Sequence, residues 1–179
     1  MHKYFLAILP PEKIATEIVA FQKEIEDEFG AIHAQKTPPH ITIIPPFECA
    51  PEKLSELTSM LALFLKGKAT DDMIIELNNF QRFESRTLFV DVAKNDEFEM
   101  LCKELKILFN QQKIIKQRVE KHYFVPHITI ANKDIKKRDF KVAWENFKER
   151  EYRREFSLKS LVVLKLIEKQ WTVMNEIQF

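Results

Sequence analysis

Pro39-His40-Ile41-Thr42-Ile43 recurs letter for letter as Pro126-His127-Ile128-Thr129-Ile130, and these two stretches decide how the chain is read. Each opens with a proline, which cannot continue a helix and keeps the residue before it extended, and each ends in β-branched residues that suit pleated backbone. Each therefore predicts the start of a β-strand. Side chains alternate along a strand, so His40 and Thr42 share one face while Ile41 and Ile43 take the other. The same split holds for His127 and Thr129 against Ile128 and Ile130. If the two strands border one cleft, it holds two imidazoles and two hydroxyls backed by apolar anchors, a set suited to phosphate chemistry.

Outward from the repeat, Tyr4 to Leu9 predicts an opening strand. A helix then starts at Pro11-Glu12, runs along Ile14, Ile18, Phe21, Ile25 and Phe29, and stops at Gly30. The first motif strand is expected to close at Pro45-Pro46. A second helix follows from Pro51 through Leu57 and Leu61 to Gly67, with the same proline start and glycine stop. Strands are predicted at Asp72 to Leu77 and Thr87 to Ala93, joined by the polar stretch Asn78 to Arg86. A third helix covers Asp96 to about Gln111, and a fourth, Arg138 to Arg150, follows the second motif strand. The end reads as strands around Arg154 to Leu158, Leu161 to Ile167 and Trp171 to Ile177, the last two joined by a turn at Glu168-Lys169-Gln170. Strands, hairpins and separated helices in this order predict an α+β domain, 1–179, of mainly antiparallel sheet with helices on the outer faces.

Composition narrows the function. With 179 residues and 45% hydrophobic content the chain can bury a core of its own. The six-residue apolar run before Pro10 is too short for a signal segment or a membrane span, and the reading is a cytoplasmic protein with no membrane partner. Cys49 and Cys102 show no metal-ligand spacing and read as buried free thiols. A net charge of +1 argues against a general nucleic-acid surface. Nine basic residues against three acidic ones between Lys113 and Lys141, however, place a local excess around the second motif. The two glycines, Gly30 and Gly67, cannot build a glycine-rich phosphate loop, so side chains or helix ends must hold any phosphate.

The paired motifs resemble the signature of the 2H phosphoesterase superfamily, two His-x-Thr/Ser motifs each on a strand, and the chain is most similar to its 2′-5′ RNA ligase-like, or RNA 2′,3′-cyclic phosphodiesterase, branch. The resemblance covers nearly the whole chain, from the opening strand to the terminal hairpin. It implies two similar lobes about a pseudo-twofold axis with the active-site cleft between them. It also implies that His40 and His127 are the catalytic pair and that Thr42 and Thr129 bind phosphate oxygens. The chain departs from the family after each motif, with Ile44-Pro45-Pro46-Phe47 in place of Phe-Leu-Gly and Asn132-Lys133 where many members carry arginine.

Opening a cyclic phosphodiester needs a base for water and an acid for the departing sugar oxygen. Two imidazoles, with an ordinary pKa of about 6.5, can supply both without a metal or another cofactor. The threonine hydroxyls can donate to the nonbridging oxygens. Which histidine is the acid stays open. A metal centre from His33, His40, His122 and His127 lacks any His-x-x-x-His or carboxylate spacing. Lys133, Arg82 and Arg86 are candidate phosphate contacts, and Phe47, Tyr123 and Phe124 candidate stacking partners for a base. The expected function is metal-independent hydrolysis of 2′,3′-cyclic phosphodiesters on RNA ends or small nucleotides, with no obligate protein partner. The alternatives are 2′-5′ RNA ligation and a non-catalytic nucleotide- or RNA-binding module.

Overall fold

The computed structural model describes residues 1–66, 68, 73–84, 86–111 and 125–179. β1 (His2–Ile8) leads through Pro10-Pro11 into α1 (Glu12–Phe29), which buries Ile14, Ile18 and Ile25. The helix stops at Gly30, whose φ of 69° is a left-handed conformation that only a residue without Cβ adopts freely. A 3₁₀ turn (His33–Lys36) precedes β2 (Ile41–Cys49), and another (Pro51–Lys53) precedes α2 (Leu54–Leu65). β3 (Ile74–Phe83) and β4 (Thr87–Val92) form a hairpin, followed by α3 (Asp96–Gln111). β5 (His127–Ala131), α4 (Lys137–Phe147), β6 (Arg153–Ser157), β7 (Ser160–Ile167) and β8 (Gln170–Gln178) complete the described elements.

The strands form one eight-stranded sheet in the order β6-β3-β4-β5-β2-β1-β7-β8, antiparallel at every pairing. The order is symmetric about its centre. On each side a motif strand (β5 or β2) pairs outward with the strand that precedes it in the chain (β4 or β1), and two further strands follow. The fold is thus α+β with two similar halves, and the halves share one sheet through the single registered pair Ile41↔Ile128.

The helices cross between the halves. α1, which leaves β1, packs beneath the opposite half: Phe21 meets Phe80, Phe147 and Tyr152 edge-on, and Glu17 and Glu24 bind Arg154 and Arg150. α3, which leaves β4, packs beneath β2, where Phe109 meets Phe47 edge-on at 5.3 Å. Each half is therefore covered by a helix threaded from the other, and one buried cluster runs from Leu6 and Ile8 through Ile41 and Ile128 to Leu88 and Val90.

Two expectations are corrected. Pro45 and Pro46 do not end β2; they sit exposed inside it, opposite Phe5 alone, where the register steps from Tyr4↔Phe47 to Leu6↔Ile44. Such a bulge needs no donor from the prolines, so they interrupt the ladder without ending the strand. The polar stretch after Leu77 is likewise strand: β3 continues to Phe83 across a bulge at Asn78-Asn79, with Asn79 at φ 59°. Asn79 tolerates that conformation and ties the bulge to Tyr152, whose N–H donates to its Oδ1 at 2.8 Å. Asp72 and Gly67 lie outside the described residues. The terminal hairpin turns on Glu168-Lys169, both at positive φ (48° and 68°), the backbone of a tight two-residue turn.

Ile41 and Ile128 are fully buried at the junction of the halves. Ile41→Ala and Ile128→Ala are each expected to cost about 2–5 kcal/mol, read by chemical denaturation. A cost well below 1 kcal/mol for both would deny the junction its structural role.

Candidate active site

The alternation expected of the motif strands is present. Ile41, Ile43, Ile128 and Ile130 are essentially sealed from solvent, whereas His40, Thr42, His127 and Thr129 are half-buried on the other face. Because β2 and β5 run antiparallel about Ile41↔Ile128, the register centred on that pair sets His40 across from Thr129 and Thr42 across from His127. Each half's imidazole therefore faces the other half's hydroxyl.

Both rings are held in the same way. His40 Nδ1 lies 2.7 Å from the Pro38 carbonyl oxygen and His127 Nδ1 lies 2.8 Å from that of Val125. A carbonyl only accepts, so each Nδ1 carries the hydrogen and donates it, leaving Nε2 as the atom that gains or loses a proton. The carbonyl in each case precedes the motif proline, whose ring fixes the intervening backbone. Phenylalanines pack against the imidazoles: Phe5 lies 5.0 Å from His40 between ring centroids, and Phe89 and Phe83 lie 4.9 and 5.1 Å from His127.

These surroundings set the protonation. Removal from water pushes His40 down from 6.5 to about 4, against the opposing pull of the Pro38 carbonyl, and a charge on His127 depresses it further. His127 is also lowered by burial, but the Val125 carbonyl and the Asp91 carboxylate both act to raise it. Asp91 is the register partner of His127 on β4, and its own pKa is raised by burial.

The loops that launch the motif strands are stitched together. Gln22 of α1, a buried polar side chain, donates from Nε2 to the Thr129 carbonyl at 3.0 Å. One oxygen of Asp134, after β5, accepts the N–H groups of Ile32 and His33, both at 2.8 Å, just before β2. A cavity of about 370 Å³ lined by Gln22, Gln35, Pro38, Pro39 and Trp171 adjoins the first motif. Trp171 in turn stands edge-on to Phe5, with ring centroids 4.6 Å apart.

The peripheral candidates fare differently. Phe47 is buried between Tyr4 and Phe109, with no face left for a base, because its place in β2 points it to the core with Ile41 and Ile43. Arg82 stacks over Trp144 of α4, 5.1 Å from the ring centroid, on the helix-covered side of the sheet. It shares that side with Phe80, since the two alternate with Gln81 along β3. Both expectations are corrected. Arg86 sits in the β3–β4 turn and donates to the Ile135 carbonyl at 3.0 Å, and Lys133 is exposed after β5 at φ 51°. Tyr123, Phe124, His122 and much of the basic segment lie outside the described residues. Among the described residues, no three histidine, cysteine, aspartate or glutamate side chains converge as metal ligands would, and no helix is long and apolar enough to cross a membrane. Cys49 and Cys102 are free and buried.

Sequence reasoning missed Gln22, Asp91 and the phenylalanines beside the rings. Two carried a signal: Gln22 falls on the buried stripe of α1 between Ile18 and Ile25, and Asp91 interrupts the apolar run Leu88-Phe89-Val90-Asp91-Val92.

Residues 10–170 match the sequence profile of the 2′-5′ RNA ligase superfamily. The chain belongs to that family, whose members are 2H phosphoesterases. A protein of Oceanobacillus iheyensis provisionally named as a phosphoesterase is 29% identical over 96% of this chain and 94% of its own. One from Geobacillus sp. strain WCH70, named likewise, is 28% identical over 72% of this chain and 68% of its own. Among solved structures, TT0787 of Thermus thermophilus aligns with a TM-score of 0.69 at 16% identity, covering 98% of this chain and 97% of that one. E. coli LigT complexed with 3′-AMP aligns at 0.67 and 14% identity, covering 99% and 98%. At such identity these two speak to the fold alone, which is the LigT-like fold.

Because folding favours neutral His40, the unfolded chain takes up that proton at a higher pH than the native one. Stability linked to His40 is complete above pH 6.5 and is lost as pH falls toward about 4. His40→Gln is expected to narrow the drop in thermal midpoint between pH 7 and pH 4.5. An unchanged drop would mean His40 titrates as it does in water.

Proposed function

We propose that the protein is a metal-independent phosphoesterase that hydrolyses 2′,3′-cyclic phosphodiesters at RNA ends or on small nucleotides, with His40 and His127 as general acid and base and Thr42 and Thr129 as donors to the phosphate. The observation that carries this reading is the paired geometry: two imidazoles with Nδ1 fixed by a carbonyl and Nε2 left for proton transfer, each across from the other motif's threonine. In the reaction the base takes a proton from water as its oxygen bonds to phosphorus, and the bond from phosphorus to one ribose oxygen breaks. The acid protonates that oxygen. Two hydroxyls aimed at the nonbridging oxygens hold the charge that gathers there.

Family membership supports the phosphoesterase class, and the 3′-AMP complex of LigT supports a nucleotide as ligand. We take residues 1–179 as one two-lobed unit, since the crossed helices leave neither half a core of its own. The free buried thiols favour a reducing, cytoplasmic setting. Lys133, exposed beyond β5, remains a candidate phosphate contact, and Arg86 could serve only by leaving the Ile135 carbonyl.

Purified protein is expected to open 2′,3′-cyclic nucleotides in the presence of EDTA. His40→Ala and His127→Ala should each lower kcat by about 10²–10⁴, and the double variant should lose little more than either, because the pair acts as a unit. Thr42→Ala and Thr129→Ala should lose about 10²-fold. Turnover that survives either histidine change, or that vanishes with EDTA and returns with a divalent ion, would overturn the mechanism. Joined 2′-5′ product with no hydrolysis would shift the reading to ligation.

A further inference from the structure

We propose that Asp91 is a positioning residue that breaks the symmetry of the histidine pair, so that His127 is the proton donor and His40 the proton acceptor. The inference rests on the functional reading above and assigns the roles within it.

The ground is a difference between the halves at matching places in the sheet. In one half Val90 pairs with Ile128 and Asp91 with His127. In the other Ile8 pairs with Ile41, so the residue that follows, Leu9, is the counterpart of Asp91 beside His40. One imidazole thus has a carboxylate on its cross-strand neighbour and the other has an isobutyl group, which packs with Phe5 and Trp171 into the small apolar cluster on that side. Cross-strand neighbours have Cβ atoms about 4.5–5.5 Å apart, close enough for an unscreened carboxylate to favour an imidazolium.

Among the described residues, the groups that face the pair are few. His127 meets Asp91 from β4 and the uncharged rings of Phe83 and Phe89, and its charge is felt by His40 of the first motif. His40 meets Phe5 from β1, the Pro38 carbonyl and the charge of His127. Asp91 accepts from the Val92 N–H and feels His127. The electrostatic asymmetry matches the geometric one, since the Asp91 carboxylate raises His127, whereas His40, lowered chiefly by burial, is lowered further by the like charge of His127. Groups whose surroundings push their protonation apart are suited to opposite roles in proton transfer. His40 Nε2 then takes the proton of the attacking water, and His127 Nε2 delivers its own to the ribose oxygen that leaves phosphorus.

The test is a titration of the two imidazoles by NMR in the free protein, wild type, Asp91→Asn and Asp91→Glu, with kcat/KM followed against pH on cyclic nucleotide. His127 is expected to titrate above His40. Asp91→Asn should lower the His127 midpoint by roughly 0.5 pH unit or more and move the alkaline limb of the profile by the same amount, while the His40 midpoint stays or falls slightly, and Asp91→Glu should restore most of both. A His127 midpoint that does not move in a folded Asn variant, or a His40 midpoint above that of His127, overturns the assignment. The order in the wild type decides even if the Asn variant does not fold. Failure of the phosphoesterase reading is seen separately, as absence of turnover whatever the order of the midpoints; active enzyme with the order reversed removes only the role of Asp91.

Discussion

The contact between Ile41 and Ile128 is where a repeated word becomes a site. Two identical motifs placed on parallel neighbouring strands would line up imidazole with imidazole and hydroxyl with hydroxyl. Antiparallel pairing about the middle isoleucine exchanges them, so each histidine stands across from the other motif's threonine. Under the proposed function a phosphate hydrogen-bonded to both hydroxyls would have an imidazole at either end, the disposition that a displacement at phosphorus requires of its acid and base. The apolar positions do the placing. Ile41, Ile43, Ile128 and Ile130 have no solvent-facing alternative, and a slip of one residue would bury both histidines and expose all four isoleucines.

That contact is narrow, a single registered pair between two four-stranded halves, and the sheet alone would leave the halves free to hinge. The crossed helices oppose this. α1 belongs by sequence to one half and by packing to the other, and α3 does the reverse, so separating the halves would pull Phe21 from Phe80 and Phe109 from Phe47. Gln22 carries the constraint from α1 to the backbone of the second motif, and Asp134 carries it from the second motif to the approach of the first. Catalytic geometry tolerates displacements of well under 1 Å, and these ties bear on the segments where such displacement would arise.

The helices and the faces of the motif strands were legible because their signals are local. α3 begins where its acidic start places it and buries its apolar stripe, and Gly30 stops α1 by its own conformational freedom. The errors fall where a local signal met a tertiary solution. Pro45-Pro46 reads as a break, yet a bulge absorbs both residues opposite Phe5, and only the partner strand reveals it. Asn78 to Arg86 reads as a loop because its side chains are polar, whereas Asn78 pairs with β6 and Phe80 to Phe83 pair with β4. Within the site the four motif residues announce themselves by repetition. Phe47 could not be separated from other aromatics until its face of β2 was known, and Arg82 reads as an anion ligand until Trp144 is seen beneath it. Asp91 acts through a cross-strand neighbour remote in sequence, a relation no spacing along the chain encodes.

Depressed protonation of both histidines in the empty site sits uneasily at first with a mechanism that needs one of them charged. Under the proposed function the substrate would supply the missing influence. A cyclic phosphodiester brings one negative charge between the rings, and an opposite charge within a few ångströms raises an imidazole by about 1–3 pH units. His40, starting from about 4, can rise by about 2 pH units and still be largely neutral near pH 7, whereas His127, helped by Asp91, is carried toward the charged form. Had both rings begun at the ordinary value, the same phosphate would protonate both and leave no base. Under the proposed mechanism, burial of the first histidine, with Phe5 packed against its ring, would allow two chemically identical groups to hold different protonation states around one anion.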